Sequence, residues 1–298
     1  MTALEVVQTG AQATIQDAGR PGLASMGIGR SGAADRRSFA LANRLVGNAE
    51  HAAAIEVLLG GLVLRAHDEI DVAVTGATVE VSVDRGEGPV PAGLNARHTL
   101  QPGWLLCLGQ ATAGLRAYVA ARGGLDVPSV LGSRSTDTLS GIGPAPLQTG
   151  DLLPVDACTL PLPNTDLAPV RPLDDADVTL RVVRGPREDW LADPEHLVAT
   201  SWTVSDKVDR VGARLVAADG PGVTMAVHDR QLPSEGVVRG AIQVPPGGEP
   251  VIFLADHPVT GGYPVAGVLV DEDADRAAQL RPGQPVRLVW HREGGHRR

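Results

Sequence analysis

Three groups of polar residues in this chain have the types and spacing that chemistry needs. The first runs Thr14-Ile15-Gln16-Asp17-Ala18-Gly19-Arg20, then Ser31-Gly32-Ala33-Ala34-Asp35, then Ala42-Asn43-Arg44-Leu45-Val46-Gly47-Asn48. Glycines at 19, 22, 27 and 29 let backbone approach a ligand closely. Arg20 could fork onto a carboxylate or carboxyphosphate-like group through two parallel hydrogen bonds, and it could equally pair with Asp17. Ser31 reads as an N-cap, and Gly47 ends a helix of about three turns that carries Phe39, Ala42, Leu45 and Val46. Such a helix N-terminus suits an anion or a carboxylate. Asn48 fits a cap, whereas Asn43 sits where a helix disfavours asparagine, which makes it the more interesting of the two as a ligand contact.

The second group is Ser133-Arg134-Ser135-Thr136-Asp137, flanked by Gly132 and Gly141. Its hydroxyls and guanidinium could cradle an anionic or urea-like ligand; a solvated polar turn is the plain alternative. The third is Asp256-His257 with Gly261-Gly262-Tyr263-Pro264, delivered by the apolar strand Val251 to Ala255. His257 is the natural proton carrier there, against a histidine merely bonded to backbone. Neighbouring strand side chains point to opposite faces, so the carboxylate that orients His257 is expected from elsewhere, with Asp17 or Asp35 as candidates. Tyr263 could stack on a flat ligand, and Gln243 could both donate to and accept from an amide. The expected catalytic set is therefore His257, Asp256 and Asp17. The expected binding set is Gln16, Arg20, Ser31, Asn43, Ser133, Arg134, Ser135, Gln243, Gly261, Gly262 and Tyr263. Scattered histidines without ligand spacing suggest no metal.

The elements that must position these residues are mostly short strands. Val79 to Asp84 alternates strictly, Ala117 to Ala121 reads as a buried strand, and Val178 to Val183 alternates again. A brief helix is expected over Asp271–Gln279. Leu100-Gln101-Pro102-Gly103, Leu147-Gln148-Thr149-Gly150 and Leu280-Arg281-Pro282-Gly283 share a turn-then-strand grammar. A proline-rich, acid-containing segment from Asp156 to Asp177 reads as a boundary, giving domains 1–165 and 166–298 with a pocket expected between them.

Composition narrows the classes. The 298 residues carry a net charge of −9, which disfavours a nucleic-acid surface. The basic run from Arg292 to Arg298 reads as a frayed tail. Only two Phe and two Tyr are present, so the cores must be aliphatic. Lys207 is the sole lysine and would have to serve any Schiff-base chemistry. Cys107 and Cys158 lack metal or redox spacing and read as inert thiols of a reducing compartment. No signal segment or long apolar run is evident, so a cytoplasmic protein without membrane association is expected. No phosphate loop, dinucleotide fingerprint or nucleophile elbow occurs, which disfavours an independent ATPase or serine hydrolase.

The same three groups carry a resemblance. Thr14 to Arg20, Ser31 to Asp35 and Ala42 to Asn48 resemble the opening of the allophanate hydrolase subunit 2 family. The likeness continues at Gly123-Gly124-Leu125-Asp126-Val127-Pro128, Leu131 to Asp137, Gly240 to Pro245, and Asp256-His257 with Thr260 to Pro264. Members include the C component of ATP-dependent 5-oxoprolinase and the A and B segments of the urea carboxylase carboxyltransferase. The resemblance implies a mostly β fold of two tandem cyclophilin-like β-barrels with a few short helices. It implies one component of an enzyme that opens 5-oxoproline to L-glutamate. Its partners would resemble the A component (LamB/YcsF-like) and the B component (allophanate hydrolase subunit 1-like) of 5-oxoprolinase. ATP would be bound by the complex, its site not located in this chain. A second implication is a urea carboxylase-like carboxyltransferase with biotin on another protein, and a third is a non-enzymatic regulatory module acting on a kinase inhibitor. The segment Val208-Asp209-Arg210-Val211-Gly212-Ala213-Arg214-Leu215 departs from the family's common Ser-Asp-Arg-Met-Gly-Tyr-Arg-Leu, which puts the substrate rather than the fold in doubt.

Overall fold

The structure is a computed structural model and describes residues 2–292 apart from 159, 172, 174, 175 and 228. The expected tail beyond Arg292 lies outside the described residues. The chain forms two compact units, one of Met1–Met26 with Arg30–Asp175, the other of Gly27–Gly29 with Ala176–Arg298. The fold is mostly β, as the resemblance implied. No helix among the described residues is long and apolar enough to cross a membrane.

In the N-terminal unit the chain runs through β1 (Ala3–Thr9), β2 (Gln12–Gln16), α1 (Arg36–Leu45), β3 (Ala54–Leu58), β4 (Leu62–Ala66) and β5 (Ile70–Thr78). It continues through β6 (Val81–Asp84), β7 (Pro89–Ala92), β8 (Ala96–Leu100), β9 (Leu105–Leu108), β10 (Ala113–Ala121) and β11 (Leu152–Pro154). A six-stranded sheet has the order β11-β1-β4-β9-β6-β7, and a five-stranded one the order β2-β3-β10-β5-β8. Alternation decides which residues meet: Leu4 and Val6 of β1 turn inward while Glu5 does not. The aliphatic core collects Leu4, Val6, Leu62, Leu64, Val72, Val74, Leu106 and Val119 from both sheets. Strand β10 is buried along its whole length because it is covered on both faces. Ala117, Val119 and Ala121 join that core, while Tyr118 and Ala120 pack under Phe39, Ala42 and Leu45 of α1.

Helix α1 begins later than the sequence suggests. Its N-cap is Asp35, whose Oδ1 accepts from the Ser38 N–H at 3.0 Å and whose Oδ2 accepts from the Ser38 hydroxyl at 2.7 Å. Ser31 instead lies in the left-handed region at φ 54°. A carboxylate of the chain itself thus fills the helix N-terminus where an external anion was expected. The predicted stop is present, with Gly47 at φ +73° donating to the Arg44 carbonyl.

The C-terminal unit runs through β12 (Val178–Arg184), α2 (His196–Ala199), β13 (Ser201–Val208), β14 (Gly212–Ala217), β15 (Glu235–Gly236) and β16 (Ala241–Gln243). It ends with β17 (Val251–Phe253), β18 (Thr260–Gly261), β19 (Val265–Leu269), α3 (Asp271–Ala277) and β20 (Pro285–Trp290). Seven strands close into a barrel in the order β12-β19-β16-β17-β14-β13-β20, sealed by parallel pairing of β12 with β20. The shared turn grammar is structural. Gly103, Gly150 and Gly283 have φ of 86°, 94° and 82°, and each turn closes as the N–H of Trp104, Asp151 or Gln284 donates to the carbonyl three residues earlier, of Gln101, Gln148 or Arg281. Positive φ at the third position is the type II signature that glycine satisfies without strain.

Candidate functional site

Strand β2 ends at Gln16, and the loop that follows meets residues 133–136 in a dense hydrogen-bonded knot. Asp17 is its centre. Its Oδ1 accepts from the Gly19 N–H at 2.7 Å, the Ser133 hydroxyl at 2.6 Å and the Ser135 hydroxyl at 2.5 Å. Its Oδ2 accepts from the Arg134 N–H at 2.6 Å. The Asp17 N–H returns a bond to Ser135 Oγ at 2.9 Å, and Ser133 Oγ accepts from the Ser135 N–H at 3.0 Å. Gly19 and Gly32 allow the loop to fold this tightly, since a Cβ on Gly19 would stand 2.4 Å from the Arg30 carbonyl oxygen. Asp17, Ser133 and Ser135 thus lock two loops together, and every one of these groups is occupied by the chain itself. The expected catalytic role of Asp17, as a carboxylate that orients His257, meets this obstacle: four donors already hold its carboxylate. Arg134 turns outward, donating from Nε to the Val127 carbonyl at 2.7 Å and from Nη2 to Asp126 at 3.0 Å.

Arg20 and Gln16 differ from the rest of the knot. Arg20 is 1% exposed, and Nη2 donates to the Ser135 carbonyl at 2.6 Å. Its Nε and Nη1 have no hydrogen-bond partner among the described residues. Asp17, three residues away, spends its carboxylate elsewhere, so the alternative of an Asp17–Arg20 ion pair is not realised. Gln16 is fully buried, with Nε2 donating to Thr14 Oγ1 and the Thr136 carbonyl, each at 3.0 Å, and Oε1 unpartnered. Ser31 donates to that same Thr136 carbonyl at 3.2 Å.

Beneath this loop lies a buried network that sequence reasoning missed. The Tyr118 hydroxyl donates to Glu56 Oε2 at 2.8 Å and accepts from the Asp35 N–H at 2.8 Å. The Ala34 N–H donates to the same Glu56 oxygen at 2.9 Å, and Arg116 Nε lies 3.4 Å from Oε1. Burial, with the nearby Glu56 and Asp35 charges, pushes the Tyr118 phenol well above its ordinary value. A glutamate inside the apolar run Ala54-Ile55-Glu56-Val57-Leu58 was the available signal, since an acid in such a strand is rarely buried without partners.

Asn43 belongs to the framework. Its Nδ2 donates to the Ala52 carbonyl at 2.9 Å and its Oδ1 accepts from Asn48 at 3.0 Å. Asn48 in turn binds the Ala121 carbonyl and the Gly123 N–H. The asparagine that looked out of place in a helix is there to tie the helix end to β10, so its polar atoms are not available to a ligand.

In the C-terminal unit, Asp256 is engaged by an arginine. Both Asp256 oxygens sit in the fork of Arg210, at 2.8 Å from Nε and 2.9 Å from Nη2, with both side chains buried. This bidentate pair ties the turn after β13 to the segment that follows β17, so the carboxylate expected in the catalytic set is engaged by a buried arginine. Arg210 comes from the segment that departs from the family pattern, and Asp209 beside it caps the N–H groups of Val211 and Gly212. His257 is half-buried, with Nδ1 2.7 Å from the Pro258 carbonyl. A carbonyl only accepts, so Nδ1 carries a proton. The Phe253 ring lies 6.1 Å away, centroid to centroid.

Gln243 donates from Nε2 to the Tyr263 carbonyl at 2.9 Å and so braces the Gly261-Gly262-Tyr263 loop from behind. Gly262 and Tyr263 line a cavity of about 520 Å3 with Trp190, Met225, Arg230 and Leu232 among its walls. The Arg230 guanidinium stands 5.2 Å from the Trp190 ring centroid, and Tyr263 is 45% exposed. The described residues contain no group of three His, Cys, Asp or Glu that could hold a metal ion. Cys107 is half-buried, and burial together with Asp84 pushes its thiol up.

Residues 26–290 match the family described as the carboxyltransferase domain, subdomain A and B. The chain belongs to this family. A carboxyltransferase A–B relative, the C component of 5-oxoprolinase from Escherichia coli (strain K12), is 33% identical over 291 residues, covering 96% of this chain and 90% of the relative. Among solved structures, K. lactis urea amidolyase superposes with a TM-score of 0.88 at 32% identity, over 97% of this chain but only 19% of that one. The protein TTHA0988 superposes with a TM-score of 0.83 at 32% identity, over 97% of this chain and 56% of its own. Carboxyltransferase A–B members thus occur both as separate subunits and as parts of larger chains, and this chain is a component of an enzyme assembly of that kind.

Proposed function

We propose that this chain is the C component of an ATP-dependent 5-oxoprolinase, opening 5-oxoproline to L-glutamate together with A-like and B-like partners in the cytoplasm. The observation that carries the reading is the extent of the likeness. The match runs over nine-tenths of the 5-oxoprolinase component, but over about a fifth of urea amidolyase. The geometry is compatible with a shared reaction. The hydroxyls of Ser133 and Ser135 are tied to Asp17, so neither is set up as a nucleophile. ATP chemistry falls to the partners, and this chain contributes binding through Arg20 and a proton carrier in His257. Co-purification with A-like and B-like partners, followed by an assay of ATP-dependent glutamate release, tests it. Release by the reconstituted complex and not by the pure chain is expected; robust release by the pure chain, or none by the complex, would overturn it.

One observation favours a second reading. The cavity beside Gly262 and Tyr263 has the size and aromatic walls that suit a flat ring. In a biotin-dependent carboxyltransferase it would receive a ureido ring carried on another protein. Carboxyl transfer from carboxybiotin to urea by this chain would select that reading over the first.

A further inference from the structure

We infer that Arg20 and Gln16 form a ligand-reading pair for a carboxylate that carries an N–H donor close by, as in a cyclic amide acid or an N-carbamoyl acid. This deepens the proposed function and rests on it for the choice of the first probe.

The argument begins with cost. A guanidinium removed from water without a counter-charge is strongly unfavourable, and folds retain buried cations by pairing them. Arg20 is 1% exposed, yet it makes one hydrogen bond, to a neutral carbonyl. The nearest carboxylate in sequence, Asp17, is consumed by four other donors. The missing partner is therefore an anion from outside the chain.

The guanidinium geometry selects its shape. Of the two Nη2 hydrogens, one goes to Ser135, and each belongs to a different edge of the planar fork. One complete two-donor edge therefore stays open, and that edge matches the two oxygens of a carboxylate. Gln16 adds the second requirement. The Thr136 carbonyl can only accept, so it fixes Nε2 of Gln16 toward itself and leaves Oε1 as the unsatisfied atom. A buried carbonyl oxygen calls for a donor. Both side chains are anchored on neighbouring carbonyls, Ser135 and Thr136, so one small ligand that serves both carries its anionic and N–H groups together. Simple carboxylates such as acetate meet the first demand and lack any donor for the second. Gly143 packs against Arg20, where a Cβ would come within 3.2 Å of Nη2, and residues 138–141 beside it are exposed.

Calorimetry and thermal-shift titration of the purified chain test the pair with five probes: 5-oxoproline, N-carbamoylglycine, the γ-lactone acid with O in place of N–H, pyrrolidin-2-one without the carboxylate, and acetate. Saturable binding of at least one N–H acid is expected, with the lactone about 10-fold weaker or worse. Pyrrolidin-2-one and acetate should not bind. Arg20→Met should abolish binding while leaving the melting temperature equal or higher, because the change removes an uncompensated buried charge. Gln16→Leu should equalise the N–H acid and the lactone; Ser31 still bonds the Thr136 carbonyl there, so this variant keeps the test open if Arg20→Met fails to fold. Binding of N-carbamoylglycine without 5-oxoproline would uphold the pair and refute the 5-oxoprolinase reading. No binding of either N–H acid, or equal binding of acetate or the lactone by the parent chain, would overturn the inference.

Discussion

Replacing Asp17 by alanine isolates what the knot contributes. The carboxylate accepts from two backbone N–H groups, of Gly19 and Arg134, and from two fully buried hydroxyls, of Ser133 and Ser135. A hydrogen bond to a charged acceptor contributes about 1.5–3 kcal/mol, and a buried donor left bare costs a similar amount. The two hydroxyls can rotate, so they count little. The two N–H groups cannot, and with the hydroxyls they give a local loss of roughly 3–5 kcal/mol. The readout is amide exchange in peptides covering 131–143 and 17–20, where opening should become roughly 100- to 5000-fold easier. Asp84→Ala is the control. It removes a carboxylate that caps only the exposed turn at Gly86 and Gly88, and it should leave both peptides unchanged. Protection at 131–137 that falls less than about tenfold in Asp17→Ala would refute the view that this carboxylate holds the two loops together.

Three further outcomes are expected. Asp256→Ala strands a buried Arg210 and should cost about 3–5 kcal/mol in urea unfolding, whereas Asp256→Leu combined with Arg210→Met should recover most of the loss; equal losses would show that the pair is not the cause. Burial alone would push the Asp273 carboxyl up, but bonds from the Arg181 side chain and backbone and from Arg276 hold it below its ordinary 3.8. A lowered folded value stabilises above the ordinary one and fades as pH falls through the folded one, so Asp273→Asn should be less stable than the parent at pH 7, with the gap closing on acidification below 3.8; a gap that persists unchanged would contradict this. In the assembled complex, His257→Asn should lower turnover roughly 100-fold if Nε2 moves a proton, and parent-like rates would remove it from the mechanism.

The strands were legible because alternation and turn chemistry are local. Val178 to Val183 alternates because one face of β12 lines the barrel, and the three Gly turns repeat one geometry. The helix start was misplaced because Ser31 and Asp35 are both good caps by type. The bond that the Asp35 N–H donates to the Tyr118 hydroxyl, across 83 residues, helps to hold Asp35 at the cap. Long-range partners also explain the reassigned residues. Asp256 next to His257 suggests a catalytic pair until Arg210, 46 residues earlier, takes both of its oxygens. Asn43 looked functional because a helix interior disfavours it, and what it stabilises lies outside the helix. Gln16, Asp17, Arg20, Ser31, Ser133, Arg134 and Ser135 do meet, since both segments carry small residues and side chains that bond the opposite backbone.

The neighbouring charges Asp17 and Arg20 show how one loop separates stability from binding. Had they paired, the loop would have lost both the acceptor that binds residues 133–135 and the cation that is left open. Gly19 prevents it. Its N–H takes Asp17 Oδ1 at 2.7 Å, and its positive φ reverses the chain between the two side chains. A β-carbon at Gly19 would collide with the Arg30 and Ser31 carbonyls, so the reversal depends on glycine. The aspartate is thereby spent on structure and the arginine is kept without a counter-charge. The knot supplies stability that offsets the buried cation, and the inferred ligand would draw its affinity from that cation, since the knot's own groups are saturated.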